Sequence, residues 1–303
     1  MPNKIPTWNA SDWLVQFQST YDIYSLLSEV YENTVAICKT KSYISSSGLQ
    51  VELNLNPDIL QDSILYDTEL PQLPTTSSFN TKISVVANDC LVEAKKLADQ
   101  GLEVCVLNMA DSVDPGGLVI EGERTQEEYL FRCSDYFRSL YHFDKSRASR
   151  FGIPLSSHKR YPLDPLFGAV FTRHATVFRG PEEEGYPLLD SPWKVNFIAV
   201  AAINCPETIL VNGEIQLTEE ETGITKTKLR TLFRVLKANQ QTHLILSALG
   251  CGAFGNPPSH MARLFKEILA EDEFSHAFQT IIFSIKADSP YDHNYTAFSE
   301  VFY

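Results

Sequence analysis

The sequence predicts an α/β layered domain with a mixed, mostly parallel sheet, preceded by a small, mainly helical N-terminal region. Three observations predict it. From Ile83 onward, short β-rich apolar runs alternate with helical patterns. Some of those runs are almost unbroken, as in Val104-Cys105-Val106-Leu107 and Leu244-Ile245-Leu246, the pattern of strands covered on both faces. Ahead of them the spacing is helical, and the chain then crosses a connector with three prolines between Pro57 and Lys82.

The elements follow in order. Asp12 to Thr40 reads as helix, with Ile23, Leu26, Leu27, Val30 and Val35 on one stripe, and Leu49 to Leu55 reads as a short strand. Residues 57–82, with the run Thr75-Thr76-Ser77-Ser78, read as connector or surface loop, so the sequence divides into an accessory region 1–80 and a main body 81–303. In the main body the predicted strands are Ile83–Ala87, Glu103–Asn108, Val170–Phe178, Asn196–Ile203, His243–Leu249 and Thr280–Lys286. The predicted helices are Leu91–Asp99, Gln126–His142, Lys226–Ala238 and Ser259–Leu269. In parallel sheets ligands sit beyond the carboxyl ends of strands, which singles out the loops after Asn108 and Leu249.

Composition narrows the function classes. The 303 residues are 44% hydrophobic and carry 25 Lys and Arg against 38 Asp and Glu, a net charge of −13. That excludes intrinsic disorder and gives no general positive field for nucleic acid or anionic lipid, so an anionic ligand must be held by local geometry. The longest apolar stretch, Val195 to Cys205, falls short of the ~20 residues of a membrane-spanning helix. No membrane insertion is expected. The segment Met1 to Trp8 lacks a signal-peptide core, which suggests a cytoplasmic protein; export by a non-Sec route would leave no mark here. Cys38, Cys90, Cys105, Cys133, Cys205 and Cys251 are widely spaced with no C-x-x-C pair, which suits a reducing compartment better than a disulfide framework. No His, Cys or Asp grouping has metal-ligand spacing, and no metal is expected. Nothing in the sequence sets an oligomeric state.

The loop Gly250-Cys251-Gly252-Ala253-Phe254-Gly255-Asn256-Pro257-Pro258 contains G-x-G-x-x-G between a strand and a helix. Glycines let backbone N–H groups approach a phosphate, and the helix start adds its positive dipole end. Two readings stand side by side: a dinucleotide fingerprint with Glu271 or Asp272 as the ribose acid, or a tight turn with a small-residue contact. Position weighs against the first, because a single convincing strand follows. His260, at the start of the next helix, reads as a surface histidine, and Trp8, Trp13 and Trp193 read as packing residues.

The earlier loop runs from Asn108 through Asp111, Asp114, Pro115, Gly116 and Gly117 to Gln126-Glu127-Glu128 at a helix start. Thr125-Gln126-Glu127-Glu128 is a capping box, which accounts for the glutamates structurally. A carboxylate pair beside an anion-cradling turn also suits cleavage of a glycosidic bond in a phosphate-bearing sugar. Both roles remain open at this point.

Gly116-Gly117-Leu118, seven further residues and Gln126-Glu127-Glu128 resemble the G-G-G…Q-E-E motif of microbial-type poly(ADP-ribose) glycohydrolases, which are macrodomain proteins. The loop Gly250–Pro257 is similar to that family's second ligand loop, and Glu29-Val30-Tyr31-Glu32-Asn33-Thr34-Val35 and Val177-Phe178-Arg179 resemble flanking family segments. The resemblance implies a three-layer α/β/α macrodomain and an ADP-ribose site. Glu128 would be the catalytic acid/base, Glu127 would orient the distal ribose, and Gly116 and Gly117 would form the catalytic loop. Gly250, Gly252, Ala253 and Gly255 would wrap the diphosphate, Phe254 would pack on the distal ribose, and Asp89, Asn108, Asp111, Gln126 and Cys251 complete the candidate contacts. No cofactor is implied. The partners are ADP-ribose and ADP-ribosylated protein.

Two departures bear on the expectation. Leu118 stands at the third glycine and Asp114 replaces the asparagine usual before Pro-Gly-Gly, so Leu118 is expected to restrict the loop. The extra carboxylates Asp111, Asp114, Glu121 and Glu123 suit a cationic leaving group such as the guanidinium of an ADP-ribosylated arginine, with Asp114 as a further catalytic candidate. This favours removal of single ADP-ribose units from protein arginine over trimming of a poly(ADP-ribose) chain, and such a mono-ADP-ribosyl-arginine hydrolase resembles bacterial effectors. A binding-only macrodomain is the alternative, and an NAD-dependent oxidoreductase resting on the G-x-G-x-x-G a more distant one.

Overall fold

The computed structural model describes residues 5–74, 78–287 and 293–303. In chain order the elements are α1 (Ala10–Ser19), α2 (Ile23–Thr40), β1 (Ser42–Ile44), β2 (Gln50–Glu52), β3 (Ile64–Tyr66), β4 (Lys82–Val86), α3 (Cys90–Ala98), β5 (Val104–Met109), α4 (Gln126–Cys133), α5 (Phe137–Leu140), α6 (Lys145–Phe151), β6 (Ala169–Arg179), β7 (Leu188–Val200), β8 (Thr208–Val211), β9 (Glu214–Leu217), α7 (Glu219–Ala238), β10 (His243–Leu246), α8 (Pro258–Leu269), β11 (Thr280–Ser284) and α9 (His293–Phe302). Seven strands form a sheet in the order β3-β6-β7-β5-β10-β11-β4. The pairs β7–β5, β5–β10, β10–β11 and β11–β4 are parallel. No described helix is long and apolar enough to cross a membrane.

The chain forms two compact units, interleaved in sequence. The first comprises Met1–Ile64, Val113–Tyr161 and Thr172–Val195; the second comprises Leu65–Ser112, Pro162–Phe171 and Asn196–Tyr303. The break in sequence character near residue 80 falls inside the second unit.

In the second unit β5 and β10 are buried at successive positions, as their unbroken apolar runs predict. Cys105 and Leu107, Leu244 and Leu246, Ile281 and Phe283 form one core with Leu229, Leu232, Phe233 and Leu236 of α7 and Met261, Leu264, Phe265 and Ile268 of α8. The alternate residues Val104, Val106 and Ile245 are also buried, and α3 packs on β5, β10 and β11. Helices thus serve both faces of the sheet. The hairpin β8–β9 turns at Asn212-Gly213, both at positive φ (52° and 86°), the conformation an Asn-Gly hairpin turn requires.

The first unit corrects two helix predictions. The helix read over Asp12–Thr40 is two helices, because Thr20 is extended and Asp22 caps α2, accepting from the Ser25 N–H. The helix read over Gln126–His142 stops at Cys133, where Ser134 turns extended and bridges to Val177. Asp135 then accepts the Thr176 N–H at 2.6 Å and pairs with Arg138 at 2.9 Å. In the connector, β3 was unmarked by the sequence pattern; its Thr75, Thr76 and Ser77 lie outside the described residues.

Candidate functional site

The glycine-pair loop is built from its own turn chemistry. Asp114-Pro115-Gly116-Gly117 closes with the Gly117 N–H donating to the Asp114 carbonyl at 2.8 Å, and Gly116 takes φ +79°, as a Pro-Gly turn of type II pattern requires. Gly117 follows at φ +52°. A Cβ at Gly116 would run into the Phe131 ring, and one at Gly117 into the Glu128 carboxylate. Both glycines are therefore demanded twice, by conformation and by closeness to α4.

On α4, Glu127 and Glu128 are both buried, at 2% and 4% exposure, which takes them out of the class of solvated first-turn acids. The Glu127 Oε1 accepts the Gly116 N–H at 3.0 Å. The Glu128 Oε1 accepts the Leu118 N–H at 3.1 Å, and its Oε2 accepts from the Thr125 N–H at 3.1 Å and from the Thr125 hydroxyl. The capping box is thus real, and the same carboxylate also clasps the glycine loop. A carboxylate offers about four acceptor positions, so one on Oε1 is left after these donors. Gln126 is half-buried at the first position of α4, and Asp114 is exposed.

Leu118 does not strain the loop. Its φ is −103°, an ordinary L-residue value, and its side chain is 49% exposed. The expectation that a Cβ here restricts the backbone is corrected: this position takes a conformation open to any residue, and the loop uses its main chain, the N–H on Glu128 and the carbonyl accepting the Glu121 and Glu123 N–H groups (both 3.1 Å).

Helix α2 buttresses this loop. Ser28 donates to the Ile120 carbonyl at 2.7 Å, and a Cβ at Gly122 would strike the Tyr24 carbonyl. The two flanking segments singled out in the sequence meet through Arg179. Its buried guanidinium donates to Thr34 at 2.8 Å, to Asn33 and to the Tyr186 carbonyl at 3.1 Å, and stacks on Trp8 with 4.9 Å to the ring centre. Thr34 passes the link on to the Arg132 carbonyl of α4 at 2.6 Å. Burial draws Arg179 down to about 10, which leaves it cationic at neutral pH. Trp8 and Trp13 are packing residues, with indole N–H groups on the carbonyls of Gly185 and Leu26.

The second glycine loop belongs to the second unit. Gly250 takes φ +75°, and a Cβ there would meet Ala202 and Asn256. The Asn256 amide donates to the carbonyls of Ile203 at 2.7 Å and Gly250 at 3.1 Å, so it ties the turn to the end of β7. Cys251 and Gly255 close short turns through their N–H groups. Among the described residues the N–H groups of Gly252, Ala253 and Phe254 make no hydrogen bond. Nothing lies within 4 Å of a Cβ built on Gly252. Three successive unpaired amides beside open space are main-chain donors of the kind an anion takes at such turns. The Cys251 thiol is pushed up to about 12 by burial and stays protonated. Phe254 packs against the hydrophobic core.

Other predicted residues of this unit have structural partners. Asp89 caps α3 through Leu91 and Val92 (2.8 and 3.1 Å), Asn108 is fully buried in β5, and Asp111 is half-buried. Glu271 pairs with Arg230 at 2.6 Å. His260 is corrected from surface to buried: its Nδ1 accepts the Leu217 N–H at 3.0 Å, and burial holds it below its ordinary value, hence neutral.

Residues 31–180 match the family model for the microbial-type PARG, or poly(ADP-ribose) glycohydrolase, catalytic domain. Among solved structures, the poly(ADP-ribose) glycohydrolase of Thermomonospora curvata is similar at 25% identity with a TM-score of 0.73, covering 91% of this chain and 99% of that one. The poly(ADP-ribose) glycohydrolase of Deinococcus radiodurans in complex with ADP-ribose is similar at 25% identity with a TM-score of 0.63, covering 83% and 98%. The T. curvata enzyme bound to the inhibitor ADP-HPD shares the fold at 24% identity and a TM-score of 0.69, over 90% and 98%. No curated protein matches the chain. Because the matched stretch runs from Tyr31 in α2 to Gly180 beyond β6, and so takes in the glycine-pair loop with both of its buried glutamates, the chain belongs to the microbial-type PARG family of glycosidic-bond hydrolases.

Proposed function

We propose that this chain is an ADP-ribosylhydrolase that cleaves the bond between the distal ribose of ADP-ribose and the group it is attached to, releasing ADP-ribose. The observation that carries this reading is the Glu128 carboxylate, buried and held by Leu118 and Thr125 with one acceptor position left on Oε1. Protonated, Glu128 gives its proton to the leaving atom as the anomeric C–X bond breaks and the ribose gains oxocarbenium character. The resulting carboxylate takes a proton from water as the water oxygen bonds to the anomeric carbon. Glu127 orients the distal ribose, and the loop N–H groups of Gly116 and Leu118 fix the two carboxylates.

The amides of Gly252, Ala253 and Phe254 hold the diphosphate, which needs no lysine and so suits a chain of net charge −13. Gly250 and Gly255 set the turn, and Cys251 supplies backbone alone. Asp89, Asn108, Asp111 and Gln126 are further ligand contacts in this reading. The favoured attached group is a protein arginine. The exposed carboxylates of Asp114 and Glu121 support it, since a guanidinium leaving group pairs well with carboxylates.

The test is release of free ADP-ribose from an arginine-linked mono-ADP-ribosylated peptide and from poly(ADP-ribose), comparing wild type with Glu128→Gln. Release that collapses in the variant while ADP-ribose still binds is the expected result. Release surviving in the variant moves catalysis to Glu127 or Asp114 and leaves Glu128 a helix cap. Binding without release from either substrate makes the chain a reader of ADP-ribose, and faster release from the polymer withdraws the arginine preference.

A further inference from the structure

We propose that Arg147 is a positioning residue for Glu128 and acts through a single peptide group of the glycine-pair loop. The proposal rests on the reading of Glu128 as acid/base. The Arg147 Nη2 donates to the Gly117 carbonyl at 3.2 Å. The N–H of that same peptide unit belongs to Leu118 and donates to the Glu128 Oε1 at 3.1 Å. A guanidinium, a peptide dipole and a carboxylate are thereby in series, cation at the C=O end and anion at the N–H end. Each hydrogen bond in such a row polarises the next.

Arg147 is itself fixed from two sides. It is held in α6, whose N-cap Asp144 accepts the Arg147 backbone N–H at 2.7 Å. Its guanidinium lies 5.8 Å from the centre of the Tyr141 ring. Tyr141 is buried and its hydroxyl meets that of Tyr31 on α2 at 2.9 Å. The side chain is therefore aimed at the loop by packed aromatics rather than by the ligand.

The need for such a clamp follows from the loop's composition. Gly116 and Gly117 both sit at positive φ, and glycine leaves the peptide plane after it free to rotate. The Leu118 N–H is the one loop donor on the Glu128 Oε1. A flipped Gly117–Leu118 peptide would turn a carbonyl toward that carboxylate in its place. Arg147 opposes this by holding the carbonyl on the far side.

The experiment measures steady-state ADP-ribose release by wild type, Arg147→Met, Arg147→Lys and Glu128→Gln on whichever of the two substrates is turned over. ADP-ribose affinity is measured by calorimetry alongside. Loss of one charge-assisted hydrogen bond predicts that kcat falls about 10- to 100-fold in Arg147→Met, with KM and ADP-ribose affinity unchanged. Arg147→Lys keeps a cation in reach of the carbonyl and is expected to recover most of the loss. A raised KM with kcat unchanged makes Arg147 a substrate contact and overturns the proposal. So does wild-type kcat in Arg147→Met, or a lysine variant as poor as the methionine one. Should Arg147→Met fail to fold, the lysine variant decides: near-wild-type kcat upholds the clamp and a 10-fold loss refutes it. An inert Glu128→Gln beside a normal Arg147→Met refutes the clamp alone, whereas an active Glu128→Gln removes the reading on which it rests.

Discussion

Replacing Gly117 with alanine tests the glycine-pair loop at its most constrained point. At φ +52° an L-residue costs about 1–2 kcal/mol relative to glycine. The new methyl group would occupy the space of the Glu128 carboxylate, so the carboxylate must withdraw from the Leu118 N–H. Leaving that donor and acceptor short of partners in a buried site adds about 1–3 kcal/mol. The sum, about 2–5 kcal/mol, is a large share of a typical domain's stability. It is read as a drop in melting temperature of several degrees or more, and as the drop in ADP-ribose release that goes with a displaced Glu128. The two readouts separate the terms. A variant that melts lower yet releases ADP-ribose at the wild-type rate would show that the Glu128 position is not what catalysis needs. A variant with wild-type melting would refute the steric argument itself.

Two further outcomes follow from other positions. Gly223 lies exposed inside α7, at no positive φ and with nothing within 4 Å of a built Cβ, so Gly223→Ala is expected to stabilise by about 0.5–1 kcal/mol, checked by urea melts. His260 is buried with its protonation disfavoured, so below about pH 6.5 the unfolded chain binds protons that the folded one refuses and stability falls. His260→Asn keeps an acceptor for the Leu217 N–H and is expected to lessen the fall in melting temperature between about pH 7.5 and 5.5; His243, depressed in the same direction by burial, leaves a residual slope.

The sequence made the second unit legible because parallel strands advertise themselves as unbroken apolar runs. Val104–Leu107 and Leu244–Leu246 fall in β5 and β10, and α8 begins within a residue of where it was read. The β8–β9 hairpin went unread although Asn212-Gly213 is a hairpin signal; its strands are short and largely exposed, so the flanking alternation that usually supports the signal is faint. The early half of β7, residues 188–195, contains Asp190, Pro192 and Lys194 and offered no apolar run. In the candidate site, Gly116, Gly117, Glu127 and Glu128 stood out because a motif and a capping box coincide. Arg147 did not, and Arg179 did so only as part of a flanking segment, since each owes its role to partners distant in sequence, and no local spacing marks a guanidinium aimed at a distant oxygen.

The unpaired amides of Gly252, Ala253 and Phe254 also bear on how fast a ligand arrives. Main-chain dipoles act over a few ångströms, whereas the −13 charge of the chain acts over a Debye length, about 8–10 Å at moderate ionic strength. On the proposed reading an incoming anion is thus repelled at long range and held only on contact. Added salt screens the repulsion and barely touches the contact, so association quickens with ionic strength while dissociation stays level, the inverse of a lysine-lined phosphate site.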